Sequence, residues 1–406
     1  MLPGKQNTIL DEIQVEKLVY GGEGLARREG KVVLAPFVLP GEKVRVAPCQ
    51  ETASLVRARL VEILQPSPSR VAPPCPHFMR CGGCDYQQAG YEFQLAQKQA
   101  ILREVLRRVG KMDVAEMAVV AGPPLEYRNR TQWHIAGGRI GYFQARSHRL
   151  CAIERCPISS PKINEALAAL RRMIRQPRFP QFIRSLEIFT DEEQVQINVL
   201  ETSGQRVART FFEWCASKIP GRHVSTLDYA AAGETFRVSH NSFFQANRFL
   251  TGKLVEIALE DLAGESGVDL YAGVGLFSLP MARKLARVEA VESTRSAAAD
   301  LEFNAARAGL PIAVHQKSAE QFLERLETPP DSLLADPPRA GLGKAVVAHL
   351  LRLKPRRLTL VSCDPATLAR DLKALIEGGC MLEGITLIDL FPQTYHIESV
   401  ARLRCG

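Results

Sequence analysis

Six short apolar runs, at 267–270, 286–291, 312–315, 332–335, 357–362 and 381–390, alternate with helical stretches after Phe236. This strand, turn, helix rhythm predicts a Rossmann-like α/β domain at the C-terminus. Two further observations complete the fold class: β-rich runs divided by glycine turns from about residue 8 to 65, and alternating segments between 126 and 200. They predict a small β-barrel and a mostly β central domain ahead of the α/β domain, with expected boundaries at 1–67, 68–236 and 237–406.

In the barrel, strands are expected at 14–18, 31–35, 43–47 and 54–64, with turns at Gly21-Gly22-Glu23-Gly24 and Pro40-Gly41-Glu42, in a five-stranded arrangement. Pro66, Pro68, Pro73, Pro74 and Pro76 then punctuate a linker into a cysteine-rich stretch where regular structure is not expected. From Tyr91 the spacing becomes helical. Leu102, Val105, Leu106 and Val109 share one face, Lys98, Arg103, Arg107 and Arg108 fall largely off it, and Gly110 ends the helix, which is expected to pack on the C-terminal domain. Strand-like runs at 186–189 and 194–200 belong to the central domain. Its stretch from Glu126 to Leu150 carries Arg128, Arg130, Arg139, Arg146 and Arg149 together with Tyr127, Trp133, Tyr142 and Phe143, a composition suited either to an RNA-facing surface or to a core.

The 406 residues are 46% hydrophobic and 24% charged, which describes a globular chain of two or three domains. A formal charge of +8 fits a polyanionic partner and also serves solubility. Residues 1–15 lack an apolar signal core and no run reaches 18 apolar residues, so a cytoplasmic chain without membrane insertion is expected.

The chemistry concentrates in the last domain. Asp269-Leu270-Tyr271-Ala272-Gly273-Val274-Gly275-Leu276-Phe277 is an apolar strand entering a glycine turn, and Gly273 and Gly275 are placed where a cofactor would need close backbone approach. Glu292, about 20 residues on, closes the next strand where a ribose is usually held. The turn has two glycines, not three, so a dinucleotide, S-adenosylmethionine or a plain strand-to-helix connection all fit it. Asp336, in Asp336-Pro337-Pro338-Arg339, favours a cofactor with an amine.

Cys363 follows an apolar strand in Ser362-Cys363-Asp364-Pro365, and Glu398 stands in His396-Ile397-Glu398-Ser399-Val400. Carbon 5 of uracil is too weak a nucleophile for a methyl sulfonium until a thiolate adds to carbon 6, and a carboxylate must then remove the proton at carbon 5. The pair therefore reads as methyl transfer to a pyrimidine, with His396 as a supporting hydrogen-bond partner. Of ten cysteines, Cys75, Cys81 and Cys84 form Cys-x5-Cys-x2-Cys, and Cys156 offers a distant fourth thiolate. Zinc and an iron–sulfur cluster both accept such a set. His77 is read as a bystander. Cys49, Cys151, Cys215, Cys380 and Cys405 show no partner spacing and are expected to pack as thiols.

Across nearly the whole chain these segments resemble the S-adenosylmethionine-dependent RNA 5-methyluridine methyltransferases. The resemblance implies a class I methyltransferase fold, with Cys363 as nucleophile and Glu398 as base. It implies cofactor contacts at Gln245, in Asn241-Ser242-Phe243-Phe244-Gln245-Ala246-Asn247, and at Tyr271, Glu292 and Asp336. Leu276 stands where some members carry a polar residue, so no contact is expected from it. The resemblance also implies a 4Fe–4S cluster on Cys75, Cys81, Cys84 and Cys156, structural because methyl transfer needs no electron. Residues 8–65 resemble the OB-like TRAM domain of RNA-modifying enzymes. Phe243, beside Gln245, is the better candidate to stack on a base, and the target base must leave its stack to reach Cys363. The implied substrate is 23S rRNA, with tRNA as the alternative, and the expected state is a monomer. Adenine amino-methyltransferases share Asp-Pro-Pro but place an aromatic where this chain has Arg339. A cytosine carbon-5 enzyme would not share the Glu398 context. A non-catalytic RNA-binding iron–sulfur assembly factor would not need Cys363 and Glu398.

Overall fold

A computed structural model describes residues 12–406; residues 1–11 of the expected barrel segment lie outside the described residues. The chain divides into two compact units. The smaller comprises the described residues up to Ile101 with Tyr142–Cys151 and Phe391–His396, and the larger comprises Leu102–Gly141, Ala152–Leu390 and Ile397–Gly406. Residues 102–141 and 152–236 of the expected central domain thus group with the catalytic sheet.

In the smaller unit, strands run in the order Ile13–Gln14, Lys43–Glu51, Leu55–Gln65, Lys31–Pro36, Glu23–Arg28, Lys17–Val19. The two end strands are separated in the chain only by Val15 and Glu16, whose N–H groups donate to Glu42 O and Leu25 O. One interrupted strand thus serves both edges, which curls the sheet and leaves five strands when the split one is counted once. Alternation places Val33, Ala35, Val44, Val46 and Val56 inside. No helix or strand lies between Gln65 and Tyr91, as the prolines predict. The cysteine stretch is held by short ties, Gly82 N–H to Phe143 O at 2.9 Å and a single bridge between Cys81 and Gln144.

The helix spans Tyr91–Arg108. Leu102 and Leu106 are buried as expected, but two assignments change: Val109 is exposed, and Lys98 is fully buried, its ammonium donating to Phe391 O at 2.9 Å. A backbone carbonyl satisfies that charge, which the 3.6-residue pattern alone does not reveal. Gly110 is required, because a Cβ there would stand 2.7 Å from Leu106 O.

The larger unit holds an eight-stranded sheet in the order Ile312–His315, Arg287–Val291, Ser266–Leu270, Ser332–Ala335, Arg357–Ser362, Glu398–Arg404, Met381–Ile388, Ala118–Val120. The first five are parallel, and Glu398–Arg404 runs antiparallel between its two neighbours. All six expected strands form. Glu398–Arg404 was not expected as a strand because Arg402 and Arg404 break its apolar pattern, yet it is buried over most of its length. A second sheet pairs Arg130–Ala136, Ile183–Thr190, Gln194–Thr202 and Arg222–Val224, beside the hairpin Leu227–Ala231 and Glu234–Val238. Trp133 and Tyr127 are buried in the core, so they extend no RNA surface.

Cys380 and Cys405 form a disulfide, correcting the expectation that both pack as thiols. The hairpin register pairs Met381 with Arg404, which brings the residues just outside that pair face to face with Cα atoms 4.1 Å apart. Among the described residues, no helix is long and apolar enough to cross a membrane.

The most concentrated polar contact of the barrel is Glu42, fully buried, whose carboxylate accepts from Leu39 N, Ser67 N and both Nε and Nη2 of Arg70. Glu42→Ala would leave Arg70 and two buried amides without their acceptor. Destabilisation of the smaller unit by about 3–5 kcal/mol is expected, read as lost hydrogen-exchange protection over residues 13–65.

Candidate active site

The strand order reverses between Ser266–Leu270 and Ser332–Ala335, and in such sheets a ligand lies beyond the carboxyl ends at that crevice. The first strand ends in Tyr271, with φ of +62°, followed by Gly273 at +57° and Gly275 at +96°. A Cβ on Gly275 would stand 2.7 Å from Leu279 Cδ1, whereas one on Gly273 would meet open space. Glu292 ties the first two strand ends together: Oε2 accepts from Gly273 N at 3.0 Å and Oε1 from Thr294 N at 2.6 Å. Leu276 is buried and belongs to the packing beneath the turn.

Asp269 is the acid that sequence reading missed. It is completely buried, Ser278 Oγ donates to its Oδ2 at 2.5 Å, and its Oδ1 has no partner. Desolvation pushes its carboxyl up to about 7, helped by the charges of Asp336 and Glu292. Desolvation likewise lifts the half-buried Asp336 to about 7. The crevice therefore gathers three acids that a cation would stabilise in their ionised form. The signal that could have found Asp269 is a carboxylate inside an otherwise apolar strand.

Cys363 follows Arg357–Ser362 directly. Asp364 caps the helix Pro365–Glu377, its Oδ1 accepting from Ala366 N and Thr367 N, while Ser362 Oγ donates to Asp364 O. These bonds fix the turn that carries the thiol. Glu398 opens the neighbouring antiparallel strand, where the register sets Ser399 opposite Ser362. Cys363 is half-buried, and desolvation, then the charge of Glu398, pushes its thiol up to about 11 against the opposing pull of Arg339. Glu398 is buried; desolvation and the charge of Asp336 raise its carboxyl well above the usual range, again opposed by Arg339. Asp336, Arg339, Cys363 and Glu398 thus share one electrostatic neighbourhood. Arg339, singled out in sequence only as a non-aromatic, is the cation of that group. His396 belongs to the smaller unit, where its ring packs on Tyr395 and Phe391.

The Asn241–Asn247 segment is held from below by the helix Arg295–Ala308. Asp300 accepts from Ser239 N, Ser239 Oγ and Ser242 Oγ at 2.6–2.8 Å. Asn304 Nδ2 donates to Val274 O in the glycine turn and its Oδ1 accepts from Arg237 N. Two polar residues of one helix face therefore set this segment against the cofactor turn. Phe244 is buried against Tyr229 and Phe236, Gln245 is buried, and Phe243 stands 67% exposed as a stacking group must.

Cys75, Cys81 and Cys84 lie half-buried in the smaller unit, and Cys156 lies buried in the larger. Their thiol chemistry suits iron or zinc. Among the described residues, however, no three His, Cys, Asp or Glu side chains are gathered closely enough to hold a metal ion.

Residues 224–404 match the family model described as tRNA (Uracil-5-)-methyltransferase. The chain is 32% identical to the 23S rRNA (uracil(1939)-C(5))-methyltransferase RlmD of Pectobacterium atrosepticum, over 98% of this chain and 94% of the relative. Its identity to RlmD of Chromohalobacter salexigens is 33%, over 98% and 90%. Among solved structures it is similar to the Pyrococcus abyssi tRNA (uracil-54, C5)-methyltransferase in complex with S-adenosyl-L-homocysteine, with a TM-score of 0.75, 25% identity, and coverage of 96% of this chain and 100% of that one.

The electrostatics yield an expected titration. Alkylation of Cys363 by iodoacetamide should rise with pH toward a midpoint near 11, and Glu398→Gln, which removes the anion that raises the thiol, should move that midpoint down. An unmoved midpoint, followed by peptide mass spectrometry, would break the link between the two side chains. A switch-point crevice rich in buried acids, with similarity of this extent, leads to one assignment: the chain belongs to the S-adenosylmethionine-dependent RNA uracil-C5 methyltransferases.

Proposed function

We propose that the protein methylates carbon 5 of a uridine in 23S rRNA, with Cys363 as nucleophile and Glu398 as base. The observation that carries this reading is the register that sets Ser362 opposite Ser399 and so places Cys363 and Glu398 at one end of paired strands, with Asp336 and Arg339 acting on both. S-adenosylmethionine, when bound, supplies an electrophilic methyl group on a sulfonium. Tyr271, Gly273, Gly275, Glu292, Asp336 and Gln245 would hold it, with Asp269 adding negative charge beneath. The acidic crevice fits a cationic cofactor, and a cation there would offset the Glu398 and Asp336 charges that add to burial in raising the Cys363 thiol.

Cys363 Sγ adds to carbon 6 of the uracil, leaving electron density on carbon 5, which takes the methyl group. Glu398 then accepts the proton from carbon 5, and the Cys363–carbon bond breaks as the ring regains its double bond. Burial keeps Glu398 a strong enough base for that step while excluding water. Phe243 would stack on RNA beside the opened base, and the barrel, as a TRAM domain, would bind neighbouring RNA. The division into 1–67, 68–236 and 237–406 then assigns RNA binding to the first two parts and chemistry to the third. Relatives named as 23S rRNA enzymes at about a third identity support the ribosomal substrate. The structural likeness to a tRNA enzyme makes tRNA the second reading. Action as a cytoplasmic monomer completes the proposal.

The test uses RNA carrying 5-fluorouridine, which lacks the proton that Glu398 must remove. A gel-stable adduct should form with S-adenosylmethionine present and vanish with Cys363→Ser, while Glu398→Gln should accumulate a covalent complex with ordinary RNA. An adduct surviving Cys363→Ser would reject that nucleophile. Unmodified 23S rRNA and tRNA transcripts, assayed side by side for 5-methyluridine, decide the substrate.

We also propose that Cys75, Cys81, Cys84 and Cys156 hold a structural 4Fe–4S cluster, supported by the thiolate donor set and its spacing. Anaerobically purified protein should contain roughly four iron and four sulfide per chain, lost in Cys81→Ser. Metal-free protein with full stability would overturn it.

A further inference from the structure

A second cleft lies in the larger unit, outside the acidic crevice, where the strand Gln194–Thr202 meets the segment that leads into Asn241–Asn247. Its volume is about 410 Å³, within the roughly 300–1,000 Å³ range of small-molecule sites. The apolar wall includes Phe212, while Asn198, His240 and Asn241 supply polar groups and Arg206 stands at the rim. Phe243, the exposed aromatic proposed above to stack on RNA, follows Asn241 by two positions.

The hydrogen bonding of this cleft determines what it offers a ligand. Arg130 donates through Nε and Nη2 to both oxygens of Glu187, each at 2.9 Å, and through Nη1 to Ser242 O at 2.7 Å. Glu187 can then only accept, so the Asn198 group facing it at 3.0 Å is the amide Nδ2. Asn198, 4% exposed, must turn its Oδ1 to His240, and the Nδ1 of His240 must be the donor in that bond. Partial burial of the imidazole lowers its pKa, which keeps it neutral at pH 7. The remaining ring nitrogen, Nε2, is consequently an acceptor on a side chain that lines the cleft.

The rim is cationic. Arg206 is exposed and forms no ion pair among the described residues. Many other surface arginines are paired, for example Arg27, Arg45, Arg155 and Arg283. An unneutralised guanidinium group next to an aromatic wall and a fixed acceptor matches a nucleotide: phosphate at the rim, base within.

We propose that this cleft binds a second nucleotide of the substrate RNA, close to the target uridine, through a base that presents an N–H donor to His240 Nε2. The inference rests on the RNA methyltransferase reading and adds a substrate-anchoring subsite to it. Adenine, cytosine and guanine offer such a donor through an amino group, and uracil through its ring N–H. Phe212 gives the base a face, and Arg206 takes a phosphate.

Two measurements on the full chain with an unmodified 23S rRNA transcript test it. In the first, ultraviolet cross-linking, nuclease digestion and peptide mass spectrometry should find a nucleotide adduct on a peptide containing Arg206, Phe212 or His240. In the second, His240→Leu and Arg206→Glu, both at exposed positions, should raise the KM for RNA by roughly ten- to a hundredfold, the cost of losing one stacked, anchored base. The kcat and the KM for S-adenosylmethionine should hold in both variants, and the melting temperature should hold in Arg206→Glu. Absence of cleft adducts together with an unchanged KM for RNA in both variants would overturn the subsite. A transcript that the unaltered protein cross-links but never methylates would overturn the methyltransferase reading instead.

Discussion

Confinement of acids beyond the carboxyl ends of a parallel sheet is the constraint on which the rest of the molecule depends. Asp269, Asp336 and Glu398 sit where burial opposes their ionisation, and Glu292 adds its charge to the first of them. Uncompensated negative charge in such a place is costly. The parallel pairing of Ser266–Leu270, Arg287–Val291 and Ser332–Ala335 brings Asp269, Glu292 and Asp336 to one end of the sheet, and Glu398 enters from the antiparallel strand beside Arg357–Ser362, where a cation would offset their charge. Burial, with the charges of Glu398 and Asp336, also raises the Cys363 thiol, against the pull of Arg339.

Support for this crevice comes from neutral and charged polar contacts beneath it, not from the groups that face it. Asp300 and Asn304 act as a clamp: through six hydrogen bonds they hold residues 237–242 and the carbonyl of Val274 in the glycine turn. Arg130 performs the corresponding task on the other side, joining Glu187 to Ser242 O. The Asn241–Asn247 segment lies between these anchors, with Phe244 buried as its plug and Phe243 exposed. Such an arrangement gives a loop the positional accuracy of regular structure. It also connects the second sheet, with its cleft around His240, to the glycine turn through one continuous set of bonds.

The two ends of the last hairpin serve different purposes. At one end Glu398 opens the strand beside Cys363, and at the other Cys380 and Cys405 are joined covalently. Antiparallel insertion of Glu398–Arg404 between Arg357–Ser362 and Met381–Ile388 makes Glu398 part of the buried sheet. Its carboxylate is thereby held by the ladder, not by a surface loop.

Much of the catalytic half was legible in the amino acids themselves. The six strands announced themselves as apolar runs because a parallel sheet covered on both faces must be apolar throughout, and Pro365 after Asp364 marked the helix start behind Cys363. Glycines at 273 and 275 were readable because a tight turn tolerates few other residues. What only the tertiary structure decided depends on register and burial, which link residues far apart in the chain: the disulfide across 25 residues, the strand containing Glu398, the buried Lys98, the core positions of Tyr127 and Trp133, and the acid Asp269. A single sequence carries local preference, whereas the pKa of a carboxylate and the tautomer of His240 follow from partners brought together by folding.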